Sequence, residues 1–170
     1  ESISDKKVNK KSDEDLNIAA FIPIRGELIN FDGQFLLENT INQILSNNII
    51  KDIVVSTDND KTAEIAKLLG ATKVIMRPAE LSQEYVGVAD VIKFTLDEYE
   101  KNFSKLDLVV FLEETYPFRD KKEISKMISA ILDSGDDSLI AVKNERKGAW
   151  IKEDSNLLPI IEQNFMPRKL

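Results

Sequence analysis

Apolar residues follow two rhythms along this chain. Residues 17–26, N-I-A-A-F-I-P-I-R-G, hold an unbroken apolar run that stops at Pro23, Arg25 and Gly26. That is the pattern of a strand buried on both faces, as in the middle of a parallel sheet. Residues 106–112 (L-D-L-V-V-F-L) read the same way, and β-branched runs at 52–57, 72–76 and 138–142 predict three shorter strands. Between the strands the apolar positions fall at helical spacing. Leu36, Leu37, Thr40, Ile41, Ile44 and Leu45 share a face within 35–47, and a second helix is expected over 61–69. Val88, Val91, Ile92, Thr95, Tyr99 and Phe103 mark a long third helix. Ile124, Met127, Ile128, Ile131 and Leu132 mark a fourth, closed by Gly135. Asn47 and Asn48 are expected as left-handed stop residues, Gly70 as another stop, and Asp58, Asn59 and Asp60 as the side chains that could cap the second helix, with Asp58 or Asp60 as its N-cap. Strands alternating with helices mean right-handed crossovers, hence an α/β chain with a three-layer α/β/α sandwich and a largely parallel sheet.

The ends are less regular. Residues 1–15 are almost free of apolar side chains and cannot offset their ordering entropy by burial, so they read as a disordered leader or linker. Residues 16–170 then form one domain, in which 149–151 is expected to be a strand and 153–156 a turn. A start at Glu1 rather than methionine is what a fragment or processed chain would show.

Composition narrows the chemistry. At 170 residues the chain is long enough to bury a core without covalent staples. It has no cysteine, which excludes disulfides, thiolate zinc sites and a cysteine nucleophile. It has no histidine either, which removes the Ser-His-Asp triad, the histidine base and the histidine metal site. What remains is carboxylates, lysine, arginine, backbone amides and a hard oxygen-bound cation such as Mg²⁺. A formal net charge of −7 argues against nucleic acid as a partner. No apolar run approaches the ~20 residues that span a bilayer, and the start lacks a signal-peptide core, so a soluble, cytoplasmic protein with no membrane partner is expected.

The first strand places Arg25 and Gly26 at the carboxyl end of a central strand, the rim where open α/β sheets bind ligands. A guanidinium fork and a glycine that lets backbone amides come close suggest a phosphate; a solvated loop arginine and an ordinary turn glycine would look the same in sequence.

Five loop motifs in order resemble the CMP-sugar synthetases, the family of acylneuraminate and ketodeoxyoctonate cytidylyltransferases. Ile22-Pro23-Ile24-Arg25-Gly26 is similar to the family's I-P-A-R-G-G, Leu36 to Ile41 to L-L-E-Y-T-I, and Val54 to Asp58 to V-V-S-T-D. Arg77-Pro78-Ala79-Glu80-Leu81 matches R-P-A-E-L outright, and Leu112 to Arg119 resembles L-Q-P-T-S-P-L-R. The likeness runs from about residue 18 to about residue 142. It implies a Rossmann-like sheet of the nucleotide-diphospho-sugar transferase type, transfer of CMP from CTP to an acidic sugar destined for a surface polysaccharide, Mg²⁺ as cofactor, and a homodimer. Three departures bear on activity. The family's longer loop of the type G-S-K-x-I-x-x-K-N is represented between Gly26 and Leu28 by Glu27 alone. Its glutamine and proline before T-S-P are Glu113 and Glu114. Its distal strand and metal-binding aspartates would lie past Leu170, so the C-terminal part of the family domain is expected to be missing.

By this resemblance Arg25 is the candidate catalytic residue, and Pro23, Arg25, Gly26, Asp58 and Arg77 are the nucleotide-binding set. A pairing of Arg77 with Glu80 would fit the sequence equally well. Glu113, Thr115, Tyr116 and Arg119 would line the sugar side. Two adjacent carboxylates facing CTP and an acid sugar would repel them by about 4 kcal/mol per pair at ~4 Å and an effective dielectric of ~20. Either Mg²⁺ is bound there, or the sugar is not a carboxylate, or one glutamate points away to solvent or to Arg119. Because the ketodeoxyoctonate branch of the family this chain resembles places an acid in this loop to hold metal, the resemblance makes Glu114 the candidate metal ligand, with a solvated glutamate pair as the alternative. A non-catalytic nucleotide-binding or docking module derived from the family is the rival function. A glycosyltransferase is a third, its Asp-x-Asp motif mimicked only by Asp58-Asn59-Asp60.

Overall fold

A computed structural model describes residues 15–142, 150–153 and 156–159. The leader expected over 1–15 lies, but for Asp15, outside the described residues. The chain divides into two compact units between Asp136 and Asp137.

The first unit is built on β1 (Ile18–Ile24), whose residues are buried except for half-buried Pro23. Burial on both faces follows from its place inside a four-stranded sheet of order β5-β4-β1-β6, with β4 at Asp52–Thr57, β5 at Lys73–Met76 and β6 at Leu108–Phe111. Every pairing in this sheet is parallel. All four carboxyl ends therefore open on one edge. Alternate residues of β1 serve two cores. Ile18, Ala20, Ile22 and Ile24 pack with Leu37, Ile41 and Ile44 of α1 (Leu36–Leu45), Ala66 of α2 (Asp60–Leu68), and Ile124 and Ile128 of α4 (Lys121–Ser134). Ala19 and Phe21 pack instead with Val54, Ile75 and Tyr99, the last from α3 (Val88–Asn102). Helices thus cover both faces, and the expected three-layer sandwich is present.

Local chemistry explains most of the boundaries. The Asn59 side chain caps α2 by accepting from the Thr62 amide at 3.0 Å, and Asp120 caps α4 by accepting from Lys122 at 2.9 Å. Gly135 closes α4 with φ +70°, a left-handed conformation that glycine adopts without strain.

Two expectations are corrected, one is narrowed, and one element is added. Of the three side chains that could cap α2, Asn59 does so and Asp58 and Asp60 do not, because the Asn59 side chain sits one turn before Thr62. Asn47 and Asn48 are not left-handed. The chain leaves α1 through right-handed Ser46, and Asn47 turns inward to donate to Ser125 Oγ at 3.0 Å and accept from the Ile49 amide at 3.1 Å. A hairpin not anticipated from the sequence, β2 (Asn30–Phe31) and β3 (Gln34–Phe35), turns on Asp32 and Gly33, whose φ of +51° and +82° fit the tight turn that Asp-Gly favours. Residues 138–142 form no strand. Ile140 and Val142 are 77% and 88% exposed, and a β-branched run stays irregular without a neighbour to complete its ladder.

In the second unit, β7 (Trp150–Glu153) and β8 (Asn156–Pro159) form an antiparallel pair. The strand expected at 149–151 falls on β7. No helix among the described residues is long and apolar enough to cross a membrane.

Candidate active site

The sheet forks at its carboxyl edge. Pairing of β1 with β6 ends at Phe21 and Phe111, followed by one bond from the Leu112 amide to the Phe21 carbonyl at 3.0 Å. Pairing of β1 with β4 continues to Ile24 and Thr57. Pro23, which has no N–H to give, stands just beyond the point where β6 departs. Two groups of candidate residues sit on either side of this fork.

On the β1-β4-β5 side, Arg77 leaves the end of β5 and turns inward, its side chain only 4% exposed. It donates to the Ile24 carbonyl at 2.7 Å and lies 3.8 Å from Asp58 Oδ1. The expected alternative partner, Glu80, is not the one it uses. Burial lowers the Arg77 pKa, Asp58 opposes that shift, and nearby Arg25 adds to it. Asp58 also accepts from the Gly26 amide at 2.8 Å, so this amide already holds a carboxylate. Arg25 itself is half exposed and meets Glu84 at 4.0 Å on the rim, an ion pair too loose and too wet to fix it.

On the β6 side, the loop after Leu112 folds against α1. Asn39 Nδ2 and Gln43 Nε2 both donate to the Pro117 carbonyl at 2.8 Å. Arg119 donates to the Glu113 carbonyl and to Gln43 Oε1, the latter at 3.2 Å. Its pKa is lowered by burial, with Glu113 acting in the opposite sense. The loop and α1 leave a hollow of about 460 Å³, lined by residues 115–119 with Phe31 from the hairpin and Leu36 from α1. Its aromatic rim is open: Phe31, Tyr116 and Phe118 are 63%, 67% and 89% exposed.

Glu114 does not face water. It is 6% exposed, accepts from the Ile29 amide, and has its Oε2 without a hydrogen-bond partner. Burial pushes its pKa up to about 7, with the Ile29 amide holding it back. Residues 26–29 therefore connect the two sides, held by Asp58 at Gly26 and by Glu114 at Ile29.

The structure thus gathers Pro23, Arg25, Gly26, Asp58 and Arg77 at one side of the fork, and Glu113, Glu114, Thr115, Tyr116 and Arg119 at the other. The hollow is not lined by Arg25, Asp58 or Arg77. Sequence reasoning missed Asn39, Gln43 and Thr62. The available signal was amide and hydroxyl side chains on helix faces otherwise apolar, where burial requires a partner. It also missed Phe31, although the neighbouring Asp-Gly signals a hairpin.

A parallel sheet covered by helices on both faces, with arginine and glycine at its carboxyl rim, is an α/β sandwich of the kind that gathers its ligand-binding loops at one edge. Solved structures agree on the fold. A CMP:2-keto-3-deoxy-manno-octonic acid synthetase complexed with CTP superposes with a TM-score of 0.56 at 16% identity, over 70% of this chain and 48% of the other. A 4-diphosphocytidyl-2C-methyl-D-erythritol synthase gives 0.67 at 10% identity, over 88% and 70%. The profile of the family described as Cytidylyltransferase matches residues 27–164, and the chain belongs to this family. Curated relatives include N-acylneuraminate cytidylyltransferase A of Danio rerio, 26% identical over 65% of this chain and 24% of that protein. Pseudaminic acid cytidylyltransferase of Campylobacter jejuni is 21% identical over 85% and 64%. CMP-N,N'-diacetyllegionaminic acid synthase of Legionella pneumophila is 29% identical over 54% and 40%. The chain spans less than two thirds of the length of each of these three relatives.

Proposed function

We propose that this site transfers CMP from CTP to an acidic, sialic-acid-like or ketodeoxyoctonate-like sugar. A sugar hydroxyl attacks the α-phosphorus and gives its proton to water, an O–P bond forms, the bond from the α-phosphorus to the oxygen bridging to the β-phosphate breaks, and pyrophosphate leaves with that oxygen. The observation that carries the reading is the rim itself: four parallel strand ends with an exposed guanidinium, Arg25, on one side of a fork and an open hollow on the other. Arg25 would meet the triphosphate, and the hollow at Thr115, Tyr116 and Arg119 would take the sugar, its apolar walls suiting acyl or deoxy positions. Such chemistry asks for positioning and charge, which a chain without histidine can supply.

Mg²⁺ is part of the proposal. Among the described residues no three acidic side chains gather into a metal group. Mg²⁺ commonly takes one or two carboxylates and completes its shell with substrate phosphates and water. The orphaned Oε2 of Glu114 fits that role as a single protein ligand. Bound there, the ion would neutralise charge developing on the phosphates. A homodimer in the cytoplasm, where CTP is available, completes the proposal on the strength of the family resemblance.

Pyrophosphate release from CTP, measured across a panel of acidic sugars with the full-length protein, tests the reading. Turnover with at least one such sugar is expected, and none with any of them overturns it. A second reading, a nucleotide-binding module without turnover, is favoured by the buried state of Arg77 and the absence of lysine in residues 26–29. CTP binding without pyrophosphate release would select it.

A further inference from the structure

Arg25 is held from both sides of its own backbone. The peptide before it presents the Ile24 carbonyl, which accepts from Arg77 at 2.7 Å. The peptide after it presents the Gly26 amide, which donates to Asp58 at 2.8 Å. One residue further, the Gly26 carbonyl accepts from Thr62 Oγ1 at 2.8 Å, and Thr62 is 1% exposed. Gly26 has φ +70°, a left-handed conformation that glycine adopts without strain and other residues rarely adopt. Meanwhile the Arg25 side chain is half exposed and touches only a rim glutamate at 4.0 Å. A fixed backbone carrying a free guanidinium is the geometry of an aimed contact.

We propose that Asp58 and Thr62 are positioning residues that lock the Arg25-Gly26 turn and so aim Arg25 at the nucleotide. Asp58 acts by accepting the Gly26 amide beside Arg77, and Thr62 by fixing the following peptide from the first turn of α2. Neither touches the ligand. The sequence reading had placed Asp58 at the nucleotide and did not consider Thr62. The inference rests on the CTP reading of the rim, and its test separates the two.

The test uses Asp58→Ala, Asp58→Asn, Thr62→Val, Thr62→Ser and Arg25→Gln in the full chain, with CTP and Mg²⁺ titrated calorimetrically and hydrogen exchange of the Gly26 amide followed without nucleotide. Loss of one such hydrogen bond is expected to weaken CTP binding about five- to tenfold in Asp58→Ala and Thr62→Val. Asn and Ser keep the acceptor and the donor, and should stay within about threefold of the parent. Gly26 exchange should accelerate in Asp58→Ala and not in Asp58→Asn. In an Arg25→Gln background Asp58→Ala should cost nothing further, an outcome that a merely structural role would not give. Full additivity with Arg25→Gln, or tighter CTP binding in Asp58→Ala, overturns the proposal; tighter binding would make Asp58 an internal competitor for the phosphate. A parent chain that binds no CTP overturns the nucleotide reading instead, and with it the aim of Arg25, while the exchange arm still decides whether Asp58 holds the turn.

Discussion

The two sides of the fork share one device and differ in what is added to it. On the β1-β4-β5 side the loops are tied by charge: a nearly buried guanidinium grips a backbone carbonyl beside a carboxylate that grips a backbone amide. On the β6 side a guanidinium and a carboxylate also hold backbone groups, Arg119 the Glu113 carbonyl and Glu114 the Ile29 amide, but two amide side chains join them by converging on the carbonyl of Pro117. The first arrangement leaves Arg25 as its solvent-facing charge. The second leaves a roomy apolar hollow. A site for two chemically unlike substrates asks for this asymmetry, because a polyanion is recognised by charge and a sugar by shape and stacking.

The comparison breaks most visibly at Arg77. Arg77→Met leaves Asp58 part-buried without its cation and the Ile24 carbonyl without its donor, and urea unfolding should register a loss of about 3–5 kcal/mol, the usual cost of stripping one partner from a buried pair. A loss below ~1 kcal/mol would mean the charged knot contributes little.

Next in size is Glu114, the buried acid on the β6 side. Its folded pKa of about 7 stands above the ordinary 4.5, so between these values the folded protein holds more protons than the unfolded chain and stability falls as pH rises. The parent should lose up to about 3 kcal/mol between pH 4.5 and 7, at about 1.4 kcal/mol per unit, and then level off. Glu114→Gln should be flat over that window. The same variant, titrated with Mg²⁺ and CTP, checks the metal role, and unchanged metal dependence would remove Glu114 from it.

Gln43 is smaller again. Gln43→Leu removes a donor to Pro117 and an acceptor from Arg119, and should cost ~1–2 kcal/mol in thermal unfolding, with a raised KM for the sugar and an unchanged KM for CTP. The smallest effect on folding belongs to Arg25→Gln, within ~0.5 kcal/mol because its ion pair is exposed. Its CTP affinity should nevertheless fall about tenfold, and equal effects on both quantities would show that Arg25 serves the fold.

Much of the fold was legible in the chain because apolar rhythm reports burial directly. The run at 52–57 coincides with β4, and Gly135 ends α4 as its place after the apolar stripe implied. The strand expected at 138–142 fails because strand formation depends on a neighbour, which composition does not reveal. The site was legible only in outline. Arg25, Gly26, Asp58 and Arg77 do converge, since parallel strands bring their carboxyl ends to one edge. Which of them faces solvent is decided by contacts more than 30 residues apart, such as Asp58 with Gly26 and Arg77 with Ile24. Glu113 and Glu114 look interchangeable as letters. Only the return of the chain at Ile29 buries one of them.

Pro23 also governs how the rim stays open. A proline where β6 leaves β1 gives the ladder no donor at that position, so the two strands part there without forfeiting a bond that residue 23 could have made. Substrates of the proposed kind would meet strands already parted, with no rung between β1 and β6 to break at Pro23.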